Sequence, residues 1–255
     1  MKKIISLVLV MVMCLGICVM ASGCGKKDDN KLVMATNAEF PPYEYIGDDG
    51  EYAGIDVEVA GLIAEKLGLE LEIANVEFDS IIPGVQEGKY DMGMAGMTVT
   101  DERLEKVSFS DTYAKGVQVV IVKEDGDIAT LDDVNGKKVG VQQGTTGDIY
   151  ASDTVENGGY GEENVIKYAN GALAVEALKS GKVDCVIIDN EPAKAYVAAN
   201  EGLKILDTEY VEEDYAICFA KDNKELQTKV NDALKELIAD GSVQKVVDKY
   251  IKADK

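Results

Sequence analysis

The chain has 255 residues, of which 46% are hydrophobic, and this length can bury a substantial core in one or two domains. Its formal net charge of −21 argues against nucleic acid as a partner. The sequence contains no histidine, which excludes metal sites built on imidazole and acyl transfer that depends on a histidine base.

The first 23 residues have the pattern of an export signal. Lys2 and Lys3 precede the apolar run 4–20, and the small residues A-S-G then lead to Cys24. The four residues A-S-G-C resemble a bacterial lipobox, although Ala21 stands where Leu is preferred. The resemblance implies that residues 1–23 are a signal peptide and that a lipid on Cys24 anchors the protein.

An uncleaved membrane anchor is the alternative interpretation, because the apolar run approaches the length of a membrane span. Both interpretations place residues 30–255 outside the cytoplasm, and the lipid anchor would hold them at the outer face of the cytoplasmic membrane. Residues 24–30 are polar without periodicity, so beyond Cys24 they form a flexible spacer.

Two cysteines follow the spacer, Cys185 and Cys218, each within an apolar run typical of a strand. An oxidising compartment would permit a disulfide between them. We expect two buried free thiols instead, because the layout described below places them in different lobes.

Strands and helices alternate through the first part of the chain, and this order predicts a mostly parallel sheet covered by helices on both sides. The predicted elements are an apolar strand at 32–35, an amphipathic helix at 54–68 that ends at a glycine, an alternating strand at 69–73, a helix beginning at 80–87, and a buried strand at 91–96.

The same order begins again in the second half. V-Q-E-G-K-Y-D-M-G-M-A-G and A-L-K-S-G-K-V-D-C-V-I-I share a helix end, then G-K-x-D, then an apolar strand. The run K-K-V-G-V at 137–141 likewise matches the first strand. The repeat predicts two α/β lobes of similar architecture.

We predict that residues 31–112 and 214–255 form lobe 1, which the C-terminal helices complete, and that residues 116–212 form lobe 2. The two crossings at 112–116 and 212–215 are candidate hinges, since neither contains the long Gly or Pro tract of a floppy linker.

Arg103 is the first candidate binding residue. Thr100 is a good N-cap for the helix that follows, so Arg103 falls in the first helical turn, where the helix already carries partial positive charge. A bound carboxylate would satisfy both charges. Gly96 permits close approach of the backbone and Thr98 offers a hydroxyl, which together suit a small carboxylate. Alternatively, Arg103 pairs with a neighbouring acid, or with an acid of the other lobe, on a solvated face.

Thr145 and Thr146 lie at the start of a predicted helix in the second lobe, after the loop that follows strand 137–141. Free N–H groups at such a helix start could meet a ligand carboxylate. Ordinary capping by Thr146 is the alternative.

Asp189 follows the strand 183–188, the counterpart of the strand that precedes Gly96 in lobe 1. Ligands of open parallel sheets bind beyond the carboxyl ends of the strands, so Asp189 would face the same cleft as Arg103. A ligand with a carboxylate and an ammonium on one carbon would satisfy both lobes. Alternatively, Asp189 only caps the next helix.

Six segments together resemble one protein family: A-T-N-A-E-F-P-P-Y-E-Y, G-I-D-V-E-V, F-D-S-I-I-P-G-V-Q-E-G-K-Y-D, A-G-M-T-V-T-D-E-R, V-S-F-S-D-T-Y and V-G-V-Q-Q-G-T-T-G-D. In order and spacing they are similar to the extracytoplasmic solute-binding proteins of family 3, which deliver polar amino acids to ABC transporters. The resemblance runs from about residue 32 to the C-terminus. It implies the type II periplasmic-binding-protein fold, with two α/β lobes that close on the ligand.

The resemblance also implies roles for individual residues. Thr98 and Arg103 would hold the ligand α-carboxylate together with the Gly96 backbone and the Thr146 N–H, and Asp189 would hold the α-ammonium. The full set of implied ligand-binding residues is Asn37, Phe40, Phe78, Gly96, Met97, Thr98, Arg103, Gln142, Thr145, Thr146 and Asp189. Among them, Phe40 and Phe78 would pack against the ligand, and Asn37 and Gln142 would set side-chain specificity.

Asn37 departs from the family pattern, because this position is often acidic in relatives that take cationic or amide ligands. A neutral residue there argues against lysine, arginine or histidine, although Glu39 could restore a negative charge. Glu39 is therefore the specificity candidate.

The family resemblance implies a monomeric binding protein rather than an enzyme, with neither cofactor nor metal. Its partners would be an L-amino acid, the permease subunits of an ABC transporter, and the membrane through Cys24. Two alternatives share the fold: a dehydratase, which needs an acid in the cleft such as Glu39 or Asp189, and a ligand-sensing or adhesive surface lipoprotein.

Overall fold

The alternation of strands and helices predicted from the sequence is present throughout the folded part of the protein. The computed structural model describes residues 30–207 and 210–251. The predicted signal peptide 1–23, Cys24 and most of the spacer lie outside the described residues. Within the described residues, none of the helices combines the length and the apolar content that crossing a bilayer requires.

The first part of the chain builds a sheet and a small hairpin layer. Its elements are β1 (Lys31–Thr36), β2 (Glu39–Phe40), β3 (Glu44–Ile46), β4 (Tyr52–Ala53), α1 (Ile55–Leu67), β5 (Glu70–Asn75), α2 (Ile81–Gln86), β6 (Met92–Gly93), α3 (Asp101–Lys106) and β7 (Val107–Phe109).

The second part builds another sheet and then returns to the first. Its elements are β8 (Ala114–Lys123), β9 (Val139–Gln142), α4 (Thr146–Ser152), β10 (Val165–Tyr168), α5 (Gly171–Lys179), β11 (Cys185–Asp189), α6 (Asn190–Ala199), β12 (Leu203–Ile205), β13 (Val211–Tyr215), β14 (Cys218–Ala220), α7 (Lys224–Ala239) and α8 (Ser242–Tyr250).

Each large sheet combines parallel and antiparallel pairing. The first has the strand order β5-β1-β6-β14-β7 and the second β10-β9-β11-β8-β12, with β13 also paired to β8. The predicted parallel pairing is confirmed for β5-β1-β6 and for β10-β9-β11. The other neighbours pair antiparallel, because β8 and β14 enter their sheets after the chain has crossed from the other sheet.

Alternation of side chains places apolar residues on both faces of each sheet. In β1, Met34 belongs to the hydrophobic cluster that includes α1, whereas its neighbour Ala35 belongs to the cluster that includes Ile81 of α2. In β8, Val119 and its neighbour Val120 are divided in the same way between two clusters. Burial of each such aliphatic side chain contributes roughly 1.5 to 3 kcal/mol, so helices on both faces stabilise the sheets.

The repeated G-K-x-D segment has one structure in both copies. Gly88 and Gly181 end their helices with φ of 71° and 72°, a conformation in which glycine is favoured. The aspartate of each copy then accepts a hydrogen bond from the backbone at the start of the neighbouring strand. The distances are 2.7 Å from the Val33 N–H to Asp91 Oδ2 and 2.8 Å from the Lys138 N–H to Asp184 Oδ2.

The two crossings between the sheets lie side by side. The Tyr113 N–H donates to the Tyr215 carbonyl at 3.0 Å, and the Ser110 N–H donates to the Ile217 carbonyl at 2.9 Å. The pairing of β8 with β13 extends up to this point, since Ala114 pairs with Tyr215. The residues at which the lobes would bend stay a prediction.

The two cysteines are buried free thiols, as predicted. Cys185 lies in β11 of the second sheet and Cys218 lies in β14 of the first.

Candidate functional site

A small cavity of about 10 Å³ lies between the loops at the carboxyl ends of strands from the two sheets. Every predicted binding residue except Met97 lines it. The lining residues are Asn37, Phe40, Glu44, Phe78, Ala95, Gly96, Thr98, Arg103, Gln142, Thr145, Thr146 and Asp189. The sequence therefore predicted most of the wall, and the structure adds Glu44 and Ala95.

Arg103 is buried at this cavity, with 5% of its surface exposed. Thr100 caps α3 as predicted, because its hydroxyl accepts the Arg103 N–H at 3.2 Å. The guanidinium donates to the Thr98 carbonyl at 2.7 Å and to the Gly144 carbonyl at 3.0 Å, and thereby joins the two lobes. Among residues 30–207 and 210–251, no carboxylate lies within ion-pair distance of Arg103, so the alternative of a solvated ion pair is wrong.

A buried guanidinium held only by neutral carbonyls lacks a full counter-charge. Burial lowers the pKa of Arg103 from its usual value, and the Glu213 charge opposes that shift. The Phe78 ring lies 5.3 Å from the guanidinium carbon and covers one side of it. An anionic group in the cavity would supply the missing charge.

Asp189 provides the opposite charge on the second lobe. Its carboxylate accepts from Gln118 Nε2 at 2.7 Å and from the Tyr215 hydroxyl. The register of β8 with β11 explains the first bond, because Gln118 and Asp189 are directly opposite each other. Asp189 is the N-cap residue of α6 but its side chain makes no capping bond, so the alternative of ordinary capping is wrong.

Burial, followed by the charge of Glu213, raises the pKa of Asp189 well above its usual value. A cationic group in the cavity would oppose this shift and favour the ionised form. Asp189 and Arg103 therefore line one cavity with opposite charges.

The Thr98 hydroxyl faces a partner that the sequence did not predict. It donates to Glu213 Oε2 at 2.9 Å. A hydroxyl has a single proton to donate, so in this arrangement its side chain cannot also donate to a ligand carboxylate. The expected role of the Thr98 side chain is corrected accordingly, and its oxygen remains available as an acceptor.

The Gly96 N–H is also occupied. It donates to Asp56 Oδ2 at 2.8 Å, which leaves the Gly96 carbonyl, an acceptor, as the backbone group for a ligand. The expected donation from this backbone to a ligand carboxylate is corrected for the same reason. Glycine is required here because φ is 52° and an added Cβ would lie 2.9 Å from the Phe40 ring.

Glu44 is a buried acid in the cavity wall that the sequence interpretation missed, with 1% of its surface exposed. Its carboxyl hydrogen-bonds that of Asp56, and Glu44 Oε2 and Asp56 Oδ1 lack any other partner among the described residues. Burial raises the pKa of Glu44 well above its usual value and that of Asp56 to about 6. A shared proton satisfies such a pair, and a cationic ligand group could replace that proton.

Glu39, the specificity candidate, is exposed and lies outside the cavity wall. The antiparallel register of β2 with β3 explains why Glu44 lies in the wall and Glu39 does not. Phe40 pairs with Glu44, so these two side chains share the face toward the cavity, while Glu39 pairs with Tyr45 on the other face. The prolines between the two strands concealed this register from the sequence pattern.

Asn37 and Gln142 meet across the two lobes. The Gln142 Nε2 donates to Asn37 Oδ1 at 2.8 Å, and Asn37 Nδ2 donates to the Val76 carbonyl at 2.9 Å. Both side chains are buried in the cavity wall, where they could also contact a ligand side chain.

Thr145, not Thr146, is the N-cap of α4, and its hydroxyl accepts the Asp148 N–H at 3.3 Å. The alternative of capping by Thr146 is therefore wrong. Thr146 is the first helical residue, and its hydroxyl lies 3.5 Å from that of Thr98 on the other lobe.

Met97 lies away from the cavity. Its side chain is fully buried in the core beside Phe78 and Ile81 and lines a separate outer groove. Neighbouring Thr98 points to the cavity because adjacent side chains of an extended segment alternate in direction.

A two-lobed α/β protein with a small cavity of opposite charges between its lobes has the fold of the type II periplasmic binding proteins. The sequence profile of the bacterial extracellular solute-binding proteins, family 3, matches residues 32–253. The chain belongs to this family.

Its relatives include arginine-binding proteins. The chain is 32% identical to the ABC transporter arginine-binding protein 1 of Escherichia coli over 89% of its length and 93% of the relative's. It is 33% identical to the arginine-binding extracellular protein ArtP of Bacillus subtilis, covering 92% and 90% of the two chains. A solved structure of an ancestral arginine-binding protein bound to arginine superposes with a TM-score of 0.81 at 41% identity, covering 87% of this chain and 98% of that one.

Proposed function

We propose that this protein is the extracytoplasmic amino-acid-binding component of an ABC transporter and that its ligand carries a cationic side chain, with arginine as the leading candidate. By name, all three of these relatives bind arginine. The name of the first places it in an ABC transporter, and the name of the second describes it as extracellular. The observation that carries the choice of ligand is Glu44, a buried acid in the cavity wall that lacks a conventional donor.

The two ends of the amino acid would be held by the two charged walls. Arg103 and the Thr146 N–H would hold the α-carboxylate, which supplies the counter-charge that the guanidinium lacks. Asp189, the Thr98 oxygen and the Gly96 carbonyl would accept from the α-ammonium. This division uses only donors and acceptors that the hydrogen bonds described above leave available.

The side chain of the ligand would extend toward Glu44. Phe40 and Phe78 would enclose its aliphatic part, with Asn37 and Gln142 beside it. A guanidinium or ammonium reaching Glu44 would replace the proton shared with Asp56. The negative charge that a neutral Asn37 does not provide would thus come from Glu44 rather than from Glu39.

The contacts are sufficient for useful affinity. Micromolar binding requires about −8 kcal/mol. Hydrogen bonds to charged groups contribute roughly 1.5 to 3 kcal/mol each, so four or five of them could supply this affinity.

Calorimetric titration of the purified protein with the common L-amino acids tests the proposal. We expect arginine to bind at micromolar concentration or better and lysine more weakly, because its ammonium makes fewer hydrogen bonds. The Glu44→Gln variant should lose most arginine affinity, whereas the matched Glu39→Gln variant should retain it. Equal affinities of these two variants would contradict the role of Glu44.

Glutamine is the second candidate ligand, because the paired amides of Asn37 and Gln142 could exchange partners with a ligand amide. If glutamine is the ligand, it should bind more tightly than arginine in the same titrations. The Glu44→Gln variant should then retain binding.

Of the two acids that the enzymatic alternative invoked, Glu39 lies outside the cavity and Asp189 lines it. The family is defined by solute binding. Recovery of intact arginine after prolonged incubation with the protein is expected, and formation of a product from arginine or prephenate would support a dehydratase. An adhesive or sensing role without transport would instead leave arginine uptake unchanged after deletion of the gene.

The membrane anchor belongs to the same proposal. Cleavage after residue 23 and a lipid on Cys24 would keep the protein near the permease subunits that receive its ligand. Mass spectrometry of the protein from its native membrane should show a lipid-modified N-terminal cysteine. The Cys24→Ala variant should be released from the membrane fraction, and its retention there would support an uncleaved anchor.

Lobe movement about the two crossings would admit the ligand. We place lobe 1 at residues 31–112 and 214–255 and lobe 2 at residues 116–212. Small-angle scattering should show a smaller radius of gyration at saturating arginine than without it. An unchanged radius would contradict hinged closure.

A further inference from the structure

Glu213 lies behind the part of the cavity wall assigned to the ligand ammonium. It is 5% exposed, although Glu212 and Asp214 on either side of it in β13 are exposed. Strand alternation turns Glu213 inward, and its Oε2 accepts from Thr98 Oγ1 at 2.9 Å and from Gln118 Nε2 at 3.1 Å.

Gln118 connects Glu213 to Asp189. Its single amide nitrogen donates to both carboxylates, at 2.7 Å to Asp189 and 3.1 Å to Glu213. Both carboxyls therefore lie within hydrogen-bond distance of one nitrogen, and Glu213 Oε1 lacks a hydrogen-bond partner among the described residues. Two buried carboxyls this close cannot both ionise at low cost, and burial together with the Glu213 charge raises the pKa of Asp189, which favours a proton on Asp189.

The charged and titratable groups around the pair come from several elements. Tyr215 shares β13 and donates to Asp189, Tyr150 of α4 and Arg103 of α3 face Glu213, and Glu44 with Asp56 lies farther along the cavity. Arg103 is the one cation among these groups, and its guanidinium is directed to two carbonyls. The pair therefore lacks a close cationic partner until one enters the cavity.

We propose that Glu213 is a positioning residue for the ligand ammonium: it accepts a hydrogen bond from the Thr98 hydroxyl and its charge favours a proton on Asp189, and this proton leaves when the ammonium binds. The inference rests on the proposed function, because it requires an α-ammonium at Asp189. With its proton directed to Glu213, the Thr98 oxygen presents lone pairs to the cavity. The ammonium then finds three acceptors, and the displaced proton passes to solvent.

The proton count of binding tests this proposal. Calorimetry of the whole protein in buffers of different ionisation enthalpy measures the protons released with arginine and with 5-guanidinopentanoate, which has the same side chain and carboxylate but no α-amino group. Both ligands would displace the proton shared by Glu44 and Asp56. We expect arginine to release more protons than the analogue, and the excess belongs to the pair of Asp189 and Glu213.

The Glu213→Gln variant should reduce that excess, because a neutral amide lacks the charge that favours a proton on Asp189. It should also weaken arginine binding roughly 10-fold or more while changing analogue binding much less. The matched Glu212→Gln variant removes the same charge from the exposed neighbour and should behave as wild type. Glu213→Gln removes a buried like charge, so its melting temperature should not fall.

Thr98→Val gives an independent readout, since it removes the hydroxyl and keeps the shape of the side chain. It should weaken arginine more than the analogue, and combination with Glu213→Gln should cost less than the sum of the two effects. Equal loss for both ligands, or an unchanged proton excess in Glu213→Gln, would overturn the role of Glu213 alone. If wild-type protein binds no amino acid, the proposed function itself is wrong, and this inference with it.

Discussion

The two lobes share a scaffold and differ in what they present to the ligand. In both, a glycine at φ close to 70° ends a helix, and a G-K-x-D aspartate ties the following segment to the neighbouring strand through a bond of 2.7 or 2.8 Å. Beyond the repeated strands the lobes diverge. The first presents Gly96 and Thr98 and then Arg103, whereas the second presents Asp189.

Comparing the lobes distinguishes scaffold residues, which stabilise each lobe, from recognition residues, which line the cavity. The repeated residues make bonds to their own lobe, and the residues that differ line the cavity between the lobes. A change in a repeated residue should therefore alter stability, and a change beyond the strands should alter binding.

Arg103→Ala gives the largest expected effect. The ligand carboxylate would lose its forked donor and stay desolvated, so we expect binding to weaken at least roughly 100-fold while the protein stays folded. Calorimetry with circular dichroism checks both. The control is Lys106→Ala on the same helix, an exposed cation paired with Glu102. Unchanged affinity of the Arg103→Ala variant would show that Arg103 does not bind the ligand carboxylate.

Asp189→Asn tests the opposite wall. We expect arginine to bind roughly 10- to 100-fold more weakly, with a smaller loss for 5-guanidinopentanoate, because only the ammonium contact is weakened. Titrations of both ligands against the variant measure the difference. Glu176→Gln, an exposed acid of α5, is the control for net charge. Equal losses for both ligands would argue against ammonium recognition by the second lobe.

The buried carboxyl of Asp56 in the first lobe should make the free energy of unfolding of the protein without ligand depend on pH. Burial raises the pKa of Asp56 from 3.8 to about 6. A carboxyl with a raised native pKa binds its proton more tightly when folded, so its contribution to stability is full below 3.8 and is lost as pH rises to about 6.

Urea unfolding across that pH range should show the loss. A shift of this size corresponds to a change on the order of 2 to 3 kcal/mol in the free energy of unfolding. The Asp56→Asn variant keeps an acceptor for the Gly96 N–H and should show a flatter pH profile than wild type. Identical profiles would mean that Asp56 ionises alike in the folded and unfolded chains.

The repeated aspartates should give the smallest effects, and these should be on stability alone. Asp91→Ala leaves the Val33 N–H without this acceptor in a mostly buried place, which should cost about 1 to 3 kcal/mol. Asp184→Ala should cost less, because Asp184 is exposed and water can replace it. Urea unfolding measures both. A change of more than about twofold in arginine affinity would contradict the separation of scaffold from recognition.

Local signals made much of the fold predictable. The apolar periodicity that ends at Gly68 identified α1, the N-cap of Thr100 identified α3, and the G-K-x-D repeat identified two lobes before any coordinates. Each of these signals is carried by residues within a single element or a single short segment, and the repeat is a comparison of two such segments, so none of them requires contacts between distant parts of the chain.

The missed residues lacked such a signal. Glu44 enters the cavity because of the register of β2 with β3, and Glu213 turns inward within a strand whose neighbouring residues are also acidic. The direction of the Thr98 hydroxyl depends on Glu213, 115 residues later in the chain. Pairings between distant segments, rather than local preference, decide these contacts.

By itself, the sequence determined that two similar α/β lobes exist and that their strand ends carry opposite charges, because helix stops, caps and apolar periods are local properties of the chain. Only the tertiary structure decided which acids line the cavity and which donors are already occupied. A hydrogen-bond donor can be assigned only when all of its neighbours in space are known, and the crossings between the lobes bring those neighbours from distant parts of the chain.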